Sequence, residues 1–447
     1  MTYIGTECEH PQVTSLRSRR TRAPALVVAA AAVLAVSAAA CSSSAQPAAV
    51  TNSTLTVAVF NPFTGPDASF GPEAMAGCLA AATAVNAAGG VLGNKVACQG
   101  VDTRGDPADA VTAGSKMLAT TSHLFGVLGP SSDEADSTVP LIAAAKVTMF
   151  ADTGEASFDE TKEQYFWRLT PADDSLGYSM ALYAKQKGYL RAAAVFGNDI
   201  SSQGEVPTLV KAFTALGGDM VANEKISLGQ SSYQPEVEQL IAAKPQVIFT
   251  EASPQANATY FAELQQLGHL IPIIATQSAL VPAWFSAVTA AIGKPALAKY
   301  FAGSEPYAPA SGPGWQVYNK DMLASPGVAK PASQWSSDSY SMTDYDGVII
   351  MALAAVAAKS TSPAVYNNDI ESVTSDPSGT VQVHSYAEGL AALKAGKKID
   401  YVGAGGPVTF SPHHNSNGGF EIAGYQPNGN TPLVAVISAA SIAALAK

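Results

Sequence analysis

Residues 55–106 read as strand, loop, helix, tight turn and strand, and that succession restricts the fold more than any other stretch of the chain. LTVAVF (55–60) is a short apolar, β-rich run. The next eleven residues, NPFTGPDASFG, are broken by Gly65, Pro66 and Gly71, which leaves Phe63, Thr64 and Phe70 on a loop. Residues 72–88 are rich in Ala, Leu and Met, with Pro72 suited to a first helical turn and Gly89-Gly90 to a stop. A strand, a crossover helix and a second strand within about fifty residues make a βαβ unit. Its first loop then lies at the carboxyl end of a parallel sheet, where such folds bind ligands.

The same alternation continues. Helix (108–120), strand (124–129), helix (130–146) and strand (147–152) follow, with Ser131 and Ser132 after one strand and Thr153, Gly154 and Glu155 after the next. A polar, proline-bearing segment at 166–175 leads into a second series, with strands at 192–199, 224–229, 245–253 and 272–278 separated by helices. Two consecutive sets of about 120 residues predict an α/β protein of two similar lobes, each a doubly wound parallel sheet with helices on both faces. Beyond residue 301 the pattern loosens into a Pro/Gly-rich connection at 304–314, helices at 315–323 and 339–359, and closing strands within 401–437 that finish the lobes. The helix at 339–359 is very apolar, but Asp344, Asp346 and Lys359 argue against insertion in a membrane. Trp284 and Trp315 read as core residues.

The amino terminus reads as a targeting segment. SLRSRRTRAP supplies a basic region, residues 25–40 an apolar stretch too short to span a bilayer comfortably, and Ala38-Ala39-Ala40 a small-residue cleavage site, so residues 1–40 are expected to be a signal peptide and 41–54 a flexible tether. An anchor that is never cut is the alternative. Cys41, directly after those alanines, gives the segment a resemblance to a bacterial lipoprotein signal, in which that cysteine is lipidated. Ala38 stands where such signals usually carry Leu, which leaves plain cleavage open. Cys78 and Cys98 fall on neighbouring elements of one βαβ unit and are disulfide candidates in an exported protein; two buried thiols are the other reading. The formal charge of -11 is concentrated after the basic start, which argues against nucleic acid or an anionic surface as partner.

No catalytic or cofactor motif survives inspection. GAGGPV (403–408) runs into a strand and not a helix, no G-x-S-x-G elbow occurs, and no CxxC or Cys/His cluster points to a metal. His413 and His414 read as a solvated pair in a polar turn. Residues 55–96 resemble the opening of the Leu/Ile/Val-binding family of type I solute-binding proteins, components of ATP-driven importers: a strand, a T-G-P loop, an aromatic-Gly pair, and a helix ending in NAAGGVLG. VDTRGDPADAV (101–111), GPSS (129–132), DYDGV (344–348) and GPVTFSP (406–412) continue the likeness in order.

The resemblance implies the type I periplasmic binding protein fold, with two lobes joined by a three-crossover hinge. The expected division is 55–172 plus 304–416 for lobe 1 and 173–303 plus 417–447 for lobe 2, with crossovers near 171–175, 303–306 and 415–419. Phe70 matches the aromatic residue that covers the ligand, Ser131 or Ser132 the hydroxyl that holds a ligand carboxylate, and Thr153 and Glu155 the loop that adds contacts. On the second lobe Gln203 and Ser253 stand where amino-acid binders carry tyrosines, and Gln277 where they carry the acid that pairs with an α-ammonium. Either Glu155 or Glu251 then relocates that charge, or the ligand is not an α-amino acid. The implied function is a non-enzymatic, monomeric, exported and lipid-anchored component of an ABC importer. It would capture a small polar organic solute, namely an amino acid, amide or small carboxylate, and hand it to a membrane permease. A sensor domain of the same fold, or an exported α/β enzyme, are the alternatives.

Overall fold

Side-chain alternation along the first strand already explains the layering of lobe 1. In β1 (Thr54–Asn61), Leu55, Val57 and Val59 enter one apolar cluster while Ala58 and Phe60 enter another, so the sheet is buried on both faces. A computed structural model of the chain describes residues 53–307, 311–374, 380–416 and 418–446; the expected signal peptide, Cys41 and nearly all of the tether lie outside the described residues.

β1 pairs in parallel with β2 (Lys95–Asp102) and β3 (Leu124–Ser131), and β4 (Met149–Asp152) and β5 (Phe166–Trp167) extend the sheet in the order β2-β1-β3-β4-β5. Helices Pro107–Thr120 and Ser132–Ala144 cover one face through Ala110, Met117, Ala135 and Val139. Helices Phe70–Ala87 and Ser339–Ala358 cover the other. The second of these is long and apolar enough to cross a bilayer by composition, yet it is a buried core helix. Its Asp346 accepts hydrogen bonds from Tyr401 Oη (2.7 Å) and Ala404 N (2.9 Å), and burial pushes its pKa up to about 6. The disulfide Cys78–Cys98, separated by 20 positions in sequence, ties the first helix to β2.

The second sheet contains β6 (Arg191–Gly197), β7 (Asp219–Ile226), β8 (Val247–Glu251), β9 (Ile273–Ala275) and β10 (Phe301–Pro306), all parallel. A small third sheet, β11 (Val381–Val383), β12 (Ile399–Gly403) and β13 (Gly406–Pro407), packs into the lobe 1 core through Val383, Ile399 and Tyr401. The chain then returns to the second sheet with β14 (Phe420–Ala423) and β15 (Leu433–Ile437), which add an antiparallel edge in the order β15-β14-β10-β9-β8-β6-β7. The chain thus passes from the first sheet to the second after β5, leaves the second after β10, and re-enters it at β14. One boundary moves. The expected division at 303/304 cuts β10, whose Gly303 to Pro306 pair with Ala423 to Phe420, so lobe 2 keeps the chain through Pro306. The proline is the last residue of the strand, a position where it is tolerated, and Tyr307 N still donates to the Gly419 carbonyl oxygen at 2.9 Å beyond it.

His413 and His414 are not a solvated pair. The His414 ring stacks on Trp167 with 3.8 Å between centroids and its Nδ1 lies 2.9 Å from the Phe166 carbonyl oxygen, while His413 Nδ1 lies 3.1 Å from the Thr161 carbonyl oxygen. Burial lowers the His414 pKa. Trp284 is fully buried, and Trp315 packs partly buried against the lobe 1 core.

Candidate functional site

Loops at the carboxyl ends of the two parallel sheets, where such folds bind ligands, meet each other: Ser201, beyond β6, donates from its backbone N to Asp133 Oδ1, just beyond β3, at 2.9 Å. On lobe 1 the loop after β1 is pinned by Asp102, which accepts from Phe63 N (2.9 Å), Thr64 Oγ1 (2.6 Å) and Arg104 N (3.0 Å). Slight burial would raise the Asp102 pKa, but these donors outweigh it and hold the carboxyl below its usual range. Phe70 opens the helix that follows. Its ring lies 5.4 Å from that of Tyr340 at a tilt of 59°, and Tyr340 in turn accepts a 2.7 Å hydrogen bond from Gln277 Nε2 of lobe 2. Phe70 and Gln277 are therefore brought together through a residue that the sequence reading passed over.

The hydroxyl group of the site is equally compact. Ser131 ends β3 and Ser132 starts the next helix, both buried, and Ser132 Oγ lies 3.1 Å from Thr153 Oγ1. Thr153 Oγ1 also accepts from Glu155 N at 3.1 Å, which folds the loop after β4 back on itself. Behind this loop Arg168, 1% exposed, donates to the carbonyl oxygens of Thr153 (3.5 Å) and Glu155 (3.1 Å) and pairs with Asp159. Burial, reinforced by Asp136 and Asp133, raises the Glu155 pKa to about 7.

Lobe 2 places its expected residues less uniformly. Gln203 turns onto its own loop, donating from Nε2 to the Gly197 carbonyl at 2.6 Å. Ser253 caps the helix Pro254–Gln266 by accepting from Ala256 N at 3.4 Å, and also lines a cavity of about 530 Å³ between the lobes. That cavity takes Ser69 and Glu73 from lobe 1 and Leu228, Gln255 and Pro282 from lobe 2. Glu251 ends β8, where burial pushes its pKa well above the carboxylate range against the hydrogen bond from Thr276.

Several functional candidates escaped the sequence reading. Asp173, in a segment read only as a crossover, sits between the lobes: a methyl group on Gly154 or on Gly204 would overlap its carboxyl group. Burial, with Glu155 adding to it, raises the Asp173 pKa to about 8. Glu205 lies against Glu251, and burial followed by that neighbour raises it strongly. Asp67, Asp133 and Asp199 each bring an oxygen within 4.8 Å of the others, and Asp133 Oδ1 accepts from Ser201 N of lobe 2 at 2.9 Å. The sequence signal for these residues was a density of acids just past strand ends, which is visible only once the strands are paired.

A family model described as periplasmic binding protein matches residues 54–430. The Leu/Ile/Val-binding protein BraC3 of Rhizobium johnstonii is 27% identical over 207 residues, covering 45% of this chain and 55% of that protein. The chain thus matches only about half the length of that curated relative. Among solved structures, a leucine binding protein from Thermotoga maritima superposes with a TM-score of 0.67 at 19% identity, over 86% of this chain and 99% of the other. The isoleucine complex of a branched-chain amino acid transporter substrate binding protein from Streptococcus pneumoniae gives 0.69 at 15% identity, with 86% and 99% covered. A solute binding protein of an R. palustris ABC transporter, in complex with 4-hydroxybenzoate, gives 0.67 at 17%, with 86% and 96% covered.

Proposed function

The chain belongs to the periplasmic binding protein family, and from that premise we propose that it captures a small polar organic solute outside the cytoplasm and delivers it to the membrane permease of an ABC importer. The family and its structural neighbours are solute-binding proteins, not enzymes. The range of solutes is that of amino acids, amides and small carboxylates; BraC3 is named for leucine, isoleucine and valine, and the neighbours hold isoleucine or 4-hydroxybenzoate. Phe70, Ser131, Ser132, Thr153, Glu155, Gln203, Glu251, Ser253 and Gln277 are the proposed ligand-facing set. The protein acts as a monomer held at the membrane by a lipidated Cys41.

One observation carries this reading. Gln277 and Ser201 of lobe 2 bond directly to Tyr340 and Asp133 of lobe 1 across the cleft. Contacts that exist only when the lobes meet are what a ligand between them would reinforce, so binding shifts the population toward the closed form. A permease that reads the closed form then distinguishes loaded from empty protein.

The test is a thermal-shift panel of amino acids, amides and small acids on the purified protein, with small-angle scattering on any hit. A ligand present at about 100 times its Kd stabilises by about 2.7 kcal/mol, and the radius of gyration is expected to fall with it. Conversion of a bound compound to product, or the lack of any stabilising solute, would sink the proposal. Mass spectrometry of the amino terminus checks the anchor: an unmodified Cys41 would refute it.

A further inference from the structure

If the cleft captures a solute, as proposed above, its walls constrain the charge of that solute. Four carboxyl groups act on one another there: Asp173 at the crossover feels Glu155, which follows β4 of lobe 1, while Glu205 and Glu251 of lobe 2 both feel Asp173. Asp173 is wedged between Gly154 of one lobe and Gly204 of the other. Glu205 is 1% exposed and faces Glu251, which also feels Asp173, Asp199 and Asp67. Among the described residues the ion pairs are Arg104–Asp109, Arg168–Asp159 and Arg191–Asp219, so none neutralises these four acids. Arg168 acts on Glu155 and Asp173 from behind, but its guanidinium is already bonded to Asp159 and to two carbonyl oxygens.

Gln277 adds an observation independent of the acids. It is only 7% exposed, its amide nitrogen is bonded to Tyr340, and its amide oxygen is buried with no partner. Tyr340 lies in the field of Glu251 and Asp173, so the Gln277 amide oxygen is held in the same acidic space. Glu155 Oε1, Asp173 Oδ2 and Glu205 Oε1 are buried without partners as well. All four of these atoms are oxygens. Buried acceptors are satisfied by donors and buried negative charge by positive charge, whereas a ligand carboxylate would add acceptors to acceptors.

We infer that the interlobe cleft takes a small organic cation, an amine, guanidine or basic amino acid bearing at least two cationic or amide donors, in preference to a neutral zwitterion or an aromatic acid. Asp67, Asp133 and Asp199 extend the acidic wall along the seam between the lobes. Protons and the cation compete for the same oxygens. Because burial holds Glu155 at about 7 and Asp173 at about 8, and Glu205 and Glu251 higher than usual, affinity for the cation falls as pH drops below about 8.

Titration calorimetry of the purified protein with 1,4-diaminobutane, agmatine, L-arginine, L-leucine and 4-hydroxybenzoate tests this. At least one of the three cations is expected to bind more than about tenfold tighter than the last two at about pH 8, and to weaken about tenfold at about pH 6. Glu251→Gln and, as a second variant, Glu205→Gln are each expected to cost the cation about tenfold while the melting transition stays cooperative. Binding of leucine or 4-hydroxybenzoate with all three cations silent overturns the charge assignment and leaves solute capture standing. Silence from all five compounds counts against both.

Discussion

Tyr340 is the residue on which the two walls of the cleft depend most directly. Its ring meets Phe70 and its hydroxyl accepts from Gln277, so a single side chain connects the expected lid of lobe 1 to lobe 2. Tyr340→Phe keeps the ring contact but strands a buried amide donor in the closed form, at about 1–3 kcal/mol. Ligand affinity is expected to fall about tenfold by titration calorimetry, with an unchanged far-ultraviolet circular dichroism spectrum. Phe70→Ala removes the other half of the bridge and should weaken binding by a comparable factor, since one aromatic pair contributes about 0.5–1.5 kcal/mol beyond its area. The sequence places Phe70 and Gln277 on segments that follow strands, because an apolar β-rich run precedes each of them. Tyr340 is not legible in this way, because it lies in the first turn of a helix whose apolar composition reads as core, and nothing local says that this turn reaches the cleft. Asp173 was hidden for a related reason: acids in a Pro-bearing connector look solvated until the two sheets close around them.

At the scale of elements, the packing of helix Phe70–Ala87 against helix Ser339–Ala358 sets how the cleft wall is held. Gly77 is a point of close approach, where a methyl group would lie 2.8 Å from Asp344 Cβ and 2.9 Å from Tyr345 N and would also strike the Ser341 carbonyl. Gly77→Ala is therefore expected to cost about 1–3 kcal/mol in a denaturant titration, because backbone cannot move aside as a flexible side chain can. The same helix is fastened at Cys78 to β2. Replacing both Cys78 and Cys98 with Ala should lower stability by about 3 kcal/mol in the chain-entropy account of a loop of this length, checked by chemical melts of the two forms under oxidising conditions. These elements were readable from the sequence because helix stops, βαβ spacing and apolar periodicity are local signals. β10 is harder to read: a strand rich in small residues and closed by Pro306 looks like a connector, and its pairing with β9 and, more than a hundred residues later, with β14 makes it a strand.

For the molecule as a whole, the dominant electrostatic fact is the number of carboxyl groups whose pKa burial raises, among them Asp152 at about 7, Glu155 at about 7 and Asp173 at about 8. Between the unfolded carboxylate range and these values the folded chain binds more protons than the unfolded one, so stability falls as pH rises. The unliganded protein is expected to melt at a lower temperature at about pH 8 than at about pH 5, at constant ionic strength, and a cation in the cleft should reduce that difference. A melting temperature that rises over the same interval would contradict the burial of these groups. The chain path has a separate consequence. The first sheet is complete by Trp167, yet the face bearing Leu55, Val57 and Val59 is closed by the helix Ser339–Ala358, with the whole parallel part of the second sheet lying between them in sequence. A chain made from its amino end therefore holds that sheet with this apolar side covered only by the helix Phe70–Ala87 while most of lobe 2 is still being synthesised. Lobe 2 has its five parallel strands in one run, but its sheet is completed only by β14 and β15 at the carboxyl end, so both halves become native late in synthesis.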